Sequence, residues 1–576
     1  MNFENYKNIE LVVECLKRNN IKNLVISPGG TNIPFIKLVQ EDVFFNCYSV
    51  VDERSAAYFA IGLYLQIHEP IVLVCTSAQA TRNYIPGLTE AYYKKVPILA
   101  ITMEKHPRFK YQNYMQAPDQ TSLPDDSIKK SFELPFLKDI NDLFHSRRLI
   151  NESILELTRD GLGPVQLCIP WLDFKIDEME SENPYISRYM ISDIDNINLD
   201  NKKVLIVIGE HLPFSEKEKN AINYFCENTD CVIYKNHLSN FKNDFSINGN
   251  LLLSTINDRE FEEIKPDILI SIGGQTGDYP FYLRFSKTIY RNLENWIINL
   301  DGKVVDTYDK LTKIYQGNEH DFFLKIKPNN VKHDYLNAWK CKINNLNNSI
   351  NVPFSNLSIA KEIHDKIPKN SIIQFSILNS LRVWSLFDLN ENIECYSNVG
   401  AFGIDGGMST LIGQSIATNK LCFLIIGDLA FFYDMNSLGI RHIKNNVRIL
   451  LVNNNGGVEF KLNGELNSMT DDYISAANHF KNAKGWAETC GFKYLSANNA
   501  IEFSNKVAEF LNDSNKPIVF EVCVSDNNER EAYGKFIKSN MNLSKSEVIK
   551  EKIKDKIKND LGIDKFNDLK RKIQRK

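Results

Sequence analysis

Short apolar runs alternate with longer amphipathic segments through the first third of the chain. The runs lie at residues 23–27, 47–51, 70–75 and 96–102, and turn residues or a helical pattern follow each of them. Apolar runs that alternate with helical patterns are typical of parallel strands joined by crossover helices. The pattern therefore predicts α/β structure with doubly wound parallel sheets.

The same alternation recurs twice more along the chain. The further predicted strands lie at 204–209, 231–234, 267–274, 372–376, 394–397, 422–426, 448–452 and 518–524. A chain of 576 residues is also too long for one hydrophobic core. We therefore predict three α/β domains and a charged tail. Their expected bounds are 1–185, 190–345, 350–525 and 526–576.

The tail differs in composition from the three domains. Residues 545–576 hold twelve Lys or Arg and six Asp or Glu, a net charge of +6, and Ile549, Ile553 and Ile557 recur at helical spacing. This pattern predicts a basic C-terminal helix. Such a helix can be solvated or pack on a partner, and it can also contact a membrane surface or a nucleic acid.

The composition is that of a globular protein without a transmembrane segment. With 43% hydrophobic and 24% charged residues and a net charge of −4, the chain is typical of globular proteins, and whole-chain nucleic-acid binding is not expected. No apolar stretch is long enough for a transmembrane segment, and the N-terminus has the pattern of an amphipathic helix rather than a signal peptide. Eleven scattered cysteines without a CxxC pair predict reduced thiols, a cytoplasmic location and no zinc site.

The clearest chemical signal lies between residues 422 and 460. One predicted strand ends in Gly427-Asp428, a helical segment is expected at 433–443, and the next strand ends in three asparagines and two glycines at 453–457. In open α/β sheets, ligands bind at the carboxyl ends of the strands. Carboxylate, amide and carbonyl oxygens suit Mg²⁺, and glycines let the backbone approach a diphosphate. A nucleotide-binding βαβ unit or an ordinary crossover remains the alternative from this stretch alone.

This layout resembles the diphosphate-binding motif of thiamine diphosphate enzymes, in which Gly-Asp is followed one crossover later by Asn-Asn. Other blocks extend the resemblance to residues 8–525 and to the 2-succinyl-5-enolpyruvyl-6-hydroxy-3-cyclohexene-1-carboxylate (SEPHCHC) synthase family. The blocks are Ser27-Pro28-Gly29, the 51–57 segment VDERSAA, Cys75-Thr76-Ser77 with Asn83-Tyr84, Pro118-Asp119-Gln120, Asn379-Ser380-Leu381, Ser397-Asn398 and the 403–406 segment GIDG before Ser409-Thr410.

The resemblance implies the thiamine diphosphate-binding fold, with a pyrimidine-binding domain first, a central α/β domain and then a diphosphate-binding domain. It implies thiamine diphosphate and Mg²⁺ as cofactors, with the metal held by the Asp428 and Asn454 side chains and the Gly456 carbonyl. Asn455 can replace Asn454 as the ligand, because three consecutive asparagines blur the register. The remaining expected cofactor contacts are Gly427, Leu429 and Gly457.

Two further residues match functional positions of the family. Glu53 matches the catalytic carboxyl group that shares a proton with ring nitrogen N1′ of the cofactor, and Ile404 matches the apolar wedge that bends it. From the residues alone, Glu53 can also be a helix N-terminal acid and Ile404 a core residue. Family members place the glutamate and the metal site on different subunits, which implies a homodimer or a dimer of dimers.

The match breaks where the family binds its anionic substrates. Arginine forms two-pronged hydrogen bonds to carboxylates, yet three family arginines are replaced here by Thr31, Trp384 and Val399, and an apolar family position holds Glu459. The expected substrate contacts are Gly30, Thr31, Asn32, Lys105, Gln120, Asn379, Ser380, Arg382, Trp384, Glu459 and Phe460. We expect Asn32, Trp384 and Glu459 to hydrogen-bond or stack on a less anionic acceptor, although Arg382 can replace a missing arginine.

These observations favour a thiamine diphosphate- and Mg²⁺-dependent carboligase or decarboxylase. It would decarboxylate a 2-oxo acid and transfer the acyl carbanion to an altered acceptor. The alternatives are a genuine SEPHCHC synthase acting on 2-oxoglutarate and isochorismate, a simple 2-oxo acid decarboxylase, and a non-catalytic scaffold. A dinucleotide-binding dehydrogenase fits poorly, because no GxGxxG motif follows the first strand.

Overall fold

The computed structural model describes residues 7–138, 140–171, 186–290, 293–390, 392–462 and 481–541. Within them the chain forms three sheets, each with parallel strands throughout, which confirms the predicted α/β class. None of the described helices is long and apolar enough to cross a membrane. The basic helix predicted over 545–576 lies outside the described residues.

The first domain alternates strands and helices. Its strands are β1 (Asn23–Ile26), β2 (Asn46–Ser49), β3 (Ile71–Cys75), β4 (Ile98–Glu104), β5 (Ser131–Glu133) and β6 (Val165–Pro170). Its helices are α1 (Lys7–Arg18), α2 (Ile33–Val39), α3 (Glu53–Ile67), α4 (Gln79–Asn83), α5 (Ile85–Lys94) and α6 (Ile140–Glu156). The strands pair in the order β2-β1-β3-β4-β6-β5.

The middle domain has its own sheet, in the order β10-β9-β8-β11-β12-β13-β7. Its strands are β7 (Ser187–Met190), β8 (Val204–Ile208), β9 (Cys231–Lys235), β10 (Ser246–Asn248), β11 (Ile268–Ile272), β12 (Glu294–Asn299) and β13 (Leu311–Gln316). Its helices are α7 (Glu216–Glu227), α8 (Asn250–Thr255), α9 (Asp258–Ile264), α10 (Tyr279–Phe285), α11 (Glu319–Phe323) and α12 (Asp334–Asn344).

The third domain repeats the topology of the first, with its strands in the order β15-β14-β16-β17-β19-β18. Its strands are β14 (Ile372–Phe375), β15 (Glu394–Ser397), β16 (Cys422–Gly427), β17 (Val447–Asn453), β18 (Lys493–Ala497) and β19 (Ile518–Cys523). Its helices are α13 (Asn356–Ile363), α14 (Asn379–Trp384), α15 (Gly407–Ile416), α16 (Asp428–Tyr433), α17 (Glu459–Leu462), α18 (Lys484–Thr489), α19 (Ala500–Leu511) and α20 (Asp526–Asn540).

Helix α3 begins immediately after β2 and positions the first-domain part of the site. The Asp52 side chain accepts a hydrogen bond from the Ser55 N–H and caps the helix, so that Glu53 is its first residue. Helix α5 packs tightly against it: a Cβ added at Gly87 would lie 2.4 Å from the Ala57 Cβ. Small residues at this contact therefore let α3 and α5 pack closely against each other.

The crossover between β16 and β17 corrects one prediction. The helix expected over 433–443 is wrong, because α16 ends at Tyr433 and a 3-10 turn follows at Met435–Gly439. Phe431 and Phe432 are buried in the third-domain core, so the apolar residues after Asp428 form helical turns that pack inward. Asp428 is therefore the first residue of a helix, directly at the end of a strand.

Helix α20 belongs to the third domain rather than to a separate tail. Phe536 on this helix is buried in the third-domain core, with its ring 5.8 Å from that of Phe387. Glu529, also buried, accepts a hydrogen bond from the N–H of Asn356 at the start of α13. The third domain therefore continues past residue 525, where a charged tail was expected to begin.

Candidate active site

The ends of β16 and β17 bring the two halves of the 422–460 motif together. The strands pair in register up to Gly427 and Val452, so Asp428 lies beside the asparagine-glycine turn. Asp428 is buried, and its Oδ2 accepts a hydrogen bond from the Gly456 N–H at 2.8 Å. Parallel pairing alone thus places a carboxylate against the turn, as the spacing predicts.

The three asparagines of this turn have different environments. Asn453 is held in place, since its Nδ2 donates to Glu521 Oε1 at 2.6 Å and its Oδ1 accepts from the Asn455 N–H. The Oδ1 of Asn454 is buried and has no hydrogen-bond partner in the protein. Asn455 is exposed with φ +63°, and Gly456 follows with φ +150°. Of the three, Asn454 presents the oxygen that lacks a partner.

These residues fit a divalent cation and a diphosphate. Burial raises the pKa of Asp428 to about 7, a cost that a bound cation would relieve. The unpartnered Asn454 oxygen is a ready metal ligand, because buried oxygens are otherwise hydrogen-bonded. A Cβ at Gly427 would meet no atom within 4 Å, so the strand end borders open space. Leu429 and Gly457 lie next to these residues and are half-buried.

Glu53 reaches the third domain from the start of α3. It is buried, and the Tyr433 hydroxyl at the end of α16 donates a hydrogen bond to its Oε2. Asn83 Nδ2 donates to the same tyrosine oxygen at 2.7 Å. Burial raises the pKa of Glu53 to about 7, so a substantial fraction of this carboxyl group is protonated near neutral pH.

Glu53 and Ile404 occupy equivalent places in two domains that contact each other. Strand β15 occupies the place in the third sheet that β2 occupies in the first, and each residue lies in the segment after its strand. Gln79 Nε2 donates to Asp405 Oδ2 at 3.4 Å across this interface. Ile404 itself is half-buried and packs against core clusters of the third domain.

The raised pKa values of three buried carboxyl groups predict how the stability of the fold depends on pH. Burial raises the pKa values of Glu53, Asp428 and Glu529 each to about 7, well above their ordinary values. The folded state therefore binds more protons than the unfolded state between about pH 5 and pH 8. We expect the free energy of unfolding of the cofactor-free protein to fall as the pH rises through this range. Urea unfolding at several pH values measures this free energy. A free energy of unfolding that rises with pH would contradict the raised pKa values of the three carboxyl groups.

Several predicted substrate residues instead hold loops of the first domain. The Asn32 Oδ1 accepts from the Gly29 N–H and its Nδ2 donates to the Ser27 carbonyl. Thr31 shares a hydrogen bond with the Thr76 hydroxyl. Both Asn32 and Thr31 are buried, so the expectation that Asn32 contacts an acceptor needs correction. Its polar atoms already stabilise the turn after β1.

Gln120 and Trp384 are also committed to internal contacts. Gln120 joins two segments, accepting from the Ala78 N–H and donating to the Met103 carbonyl, each at 2.6 Å. Trp384 is fully buried in the third-domain core, and its indole N–H donates to Asn356 Oδ1 at 3.3 Å. The prediction that Trp384 stacks on a substrate is therefore corrected, because its position on α14 points it into the core.

Arg382 and Glu459 form an ion pair that was not foreseen. The Arg382 Nη1 lies 2.5 Å from Glu459 Oε1, and the guanidinium lies 5.8 Å from the centre of the Tyr279 ring. The other oxygen, Glu459 Oε2, is buried without a hydrogen-bond partner. Glu459, which stands where the family has an apolar residue, thus neutralises Arg382. Arg382 is the residue that could have taken over from one of the missing family arginines.

The other predicted substrate residues have varied environments. Asn379 Oδ1 is buried without a partner, Ser380 is buried, and Gly30 is exposed. The Lys105 ammonium lies over the Trp171 ring, 4.2 Å from its centre. The side chain of Phe460 lies outside the described part of the structure. Tyr433 was missed by sequence reasoning, although its place one turn beyond Asp428 was a usable signal.

Comparison with known proteins identifies the family. Residues 7–123 match the family described as thiamine pyrophosphate enzyme, N-terminal TPP binding domain. Proteins named 2-succinyl-5-enolpyruvyl-6-hydroxy-3-cyclohexene-1-carboxylate synthase are similar over nearly the whole chain. That of Bacteroides thetaiotaomicron is 30% identical over 564 residues, covering 92% of this chain and 97% of the relative. That of Bacteroides fragilis is 31% identical over 556 residues, covering 92% and 98%.

These matches confirm the predicted cofactor, thiamine diphosphate, and the prediction that the protein is an enzyme that uses it. They extend through all three described domains, so the resemblance is not confined to the motif at the ends of β16 and β17. The chain belongs to the 2-succinyl-5-enolpyruvyl-6-hydroxy-3-cyclohexene-1-carboxylate synthase family of thiamine diphosphate enzymes.

Proposed function

We propose that the protein is a thiamine diphosphate- and Mg²⁺-dependent carboligase that decarboxylates a 2-oxo acid and transfers the acyl unit to an acceptor less anionic than isochorismate. The observation that carries the altered acceptor is the Arg382–Glu459 ion pair. The family membership supports the cofactor and the reaction class.

In this proposal the cofactor lies at the carboxyl ends of β16 and β17. The Asp428 and Asn454 side chains and the Gly456 carbonyl hold Mg²⁺, while Glu53 faces ring nitrogen N1′ and Ile404 supports the bend of the cofactor. The other backbone contacts are Gly427, Leu429 and Gly457. When bound, thiamine diphosphate supplies the nucleophilic carbon and the electron sink for decarboxylation. The unpartnered Asn454 oxygen and the buried Asp428 carboxyl group support this arrangement.

The charges near α14 support a less anionic acceptor. Each charge-assisted hydrogen bond to a carboxylate contributes about 1.5–3 kcal/mol, and Thr31, Trp384 and Val399 replace three arginines that would form them. Arg382 is paired with Glu459 and is therefore a weaker anion ligand. The unpartnered Glu459 Oε2 instead needs a hydrogen-bond donor, which a hydroxylated acceptor would supply.

The substrate proposal is tested by measuring CO₂ release from a panel of 2-oxo acids, with and without hydroxylated acceptors, using enzyme loaded with thiamine diphosphate and Mg²⁺. We expect acceptor-dependent release and no robust turnover of 2-oxoglutarate with isochorismate. Robust turnover of that pair would overturn the altered acceptor. Release without any acceptor would indicate a simple decarboxylase, and no release by protein that binds the cofactor would indicate a scaffold.

A second candidate function is the one that the relatives' names print, SEPHCHC synthesis, and their 30–31% identity over most of the chain favours it. The variant Glu459→Gln separates the two candidates further. It frees Arg382 while keeping the shape of the side chain, so an enzyme with an altered pocket should gain about tenfold in affinity for a dicarboxylate acceptor. In an enzyme that already binds an anionic acceptor, Glu459→Gln should not increase the affinity for a dicarboxylate.

We also propose a homodimer or dimer of dimers with active sites next to the subunit interface, although Glu53 and Tyr433 meet within one chain here. Helix α3, which begins at Glu53, exposes large apolar side chains: Tyr58 is 47% exposed, Phe59 41% and Leu65 49%. Exposed apolar faces of this kind are typical of interfaces. A cytoplasmic location is proposed because all eleven cysteines are free thiols.

The variant Phe59→Asp is expected to weaken the dimer by at least about 100-fold, because it places a charge in the apolar centre of the proposed interface. Sedimentation velocity over a range of concentrations measures the change. Phe144→Asp is the matched control, since Phe144 is 60% exposed on α6, away from α3. An unchanged dimer in Phe59→Asp would show that this face of α3 is not the interface.

A further inference from the structure

Tyr433 links two first-domain residues through a single oxygen atom. Its hydroxyl oxygen accepts a hydrogen bond from Asn83 Nδ2 at 2.7 Å and its proton is donated to Glu53 Oε2. Asn83 is the last residue of α4, Glu53 the first of α3, and Tyr433 the last of α16. Three helix ends from two domains therefore meet at one hydroxyl group.

This chain of hydrogen bonds has a fixed direction. An amide NH₂ group can only donate, so Asn83 occupies a lone pair of the Tyr433 oxygen and leaves the tyrosine proton for Glu53. An acid proton on Oε1 leaves Oε2 free to accept this hydrogen bond, whereas an acid proton on Oε2 competes with it. When Glu53 is protonated, a proton on Oε1 therefore keeps the Tyr433 hydrogen bond intact.

We propose that Asn83 and Tyr433 are positioning residues that dedicate Oε1 of Glu53 to proton exchange with the cofactor ring. The inference rests on the proposed role of Glu53 beside ring nitrogen N1′. The exchange balances, because the proton that leaves Oε1 for the ring returns to the same oxygen. While Oε1 is deprotonated, the Tyr433 hydroxyl stabilises the carboxylate through Oε2.

The surroundings of Glu53 make this hydroxyl group important. Burial raises the pKa of Glu53, and the charges of Asp52 on its own helix boundary and Asp405 in the third domain raise it further. The thiol of Cys75 and the phenol of Tyr84 also face it, and both are uncharged near neutral pH because burial raises their own pKa values. Among the described residues, the side chain that lowers the pKa of Glu53 is that of Tyr433.

The test uses Tyr433→Phe, which removes only the hydroxyl group. Proton uptake or release on binding thiamine diphosphate with Mg²⁺ is measured by calorimetry in buffers of different ionisation enthalpy, as a function of pH. We expect the midpoint of this linkage to lie about one pH unit higher in the variant, because a charge-assisted hydrogen bond to the carboxylate is lost. The ascending limb of the pH–rate profile should move in the same direction.

Two other variants separate the possible failures. Glu53→Gln should remove the part of the linkage that titrates with Glu53 and leave the part that titrates with Asp428; a linkage identical to that of the wild type would mean that the proposed role of Glu53 is wrong. If Glu53→Gln removes its part of the linkage but Tyr433→Phe leaves the midpoint of that part unchanged, only the positioning inference is overturned. Tyr335→Phe is the matched control, since its buried hydroxyl donates to the Ile264 carbonyl in the middle domain and should not affect the midpoint.

If Tyr433→Phe fails to fold, Asn83→Leu provides the test. This variant keeps the tyrosine hydroxyl group but removes the donor that directs its proton toward Glu53. We expect a smaller shift of the linkage midpoint in the same direction. A midpoint equal to that of the wild type in folded Asn83→Leu would then overturn the inference.

Discussion

The variant Glu53→Gln is expected to lower the decarboxylation rate of the loaded enzyme by about 10²–10⁴-fold, the usual contribution of a positioned acid–base group. Glutamine keeps the size of the side chain and can still accept the Tyr433 hydrogen bond, but it cannot give or take a proton. Single-turnover CO₂ release measures the effect on the chemical step, apart from cofactor binding.

The matched control is Glu156→Gln, because Glu156 is another buried first-domain glutamate and pairs with Arg159 far from the third domain. It should keep the wild-type rate. A rate of Glu53→Gln within a few-fold of the wild type would mean that the cofactor is activated without this carboxyl group, which would contradict the proposed role of Glu53.

The second large effect is expected from Asp428→Ala, which should weaken Mg²⁺-dependent binding of thiamine diphosphate by at least about 100-fold. The variant removes an anionic oxygen ligand that Mg²⁺ requires. It also removes a buried carboxyl group whose charged form is disfavoured, so the cofactor-free variant should be as stable as the wild type or more stable. Binding and thermal unfolding measured together distinguish a lost ligand from a misfolded domain.

Control and neighbouring variants test whether the effect is specific to Asp428. Asp306→Asn changes a carboxylate that caps backbone N–H groups of the middle domain, and it should leave cofactor binding unchanged. Asn454→Ala should weaken binding more than Asn455→Ala, because the Asn454 oxygen is buried and unpartnered whereas Asn455 is exposed. Equal binding by Asp428→Ala and wild type would place the metal elsewhere.

The parts of the fold that the sequence predicts well are those with strong local signals. Buried parallel strands have both faces covered and form continuous apolar runs, so β3, β8, β16 and β17 were readily predicted. Edge strands such as β7 and β18 have mixed residues and were missed. The helix expected over 433–443 failed because the helix begins earlier, at Asp428, and its Phe431 and Phe432 pack into the core.

The residues of the candidate site likewise divide into those with a local sequence signal and those without one. Asp428 and the asparagine-glycine turn adjoin because strand pairing puts them there, which spacing alone predicts. The fates of Trp384 and Glu459 depend on contacts with residues distant in the sequence, whereas Asn32 is held by the neighbouring Ser27 and Gly29. The partner of Glu459, for example, is Arg382 on α14, and the partner of Trp384 is Asn356 on α13. Such pairings follow from tertiary packing and carry no local signature.

The central claim is that the carboxyl ends of β16 and β17 hold thiamine diphosphate with a divalent cation. The most direct measurement is a calorimetric titration of thiamine diphosphate into the wild-type protein with Mg²⁺, repeated with EDTA in its place. The account predicts saturable binding of one cofactor per chain that EDTA abolishes. Absence of binding to folded wild-type protein, or equally tight binding in EDTA, would contradict it.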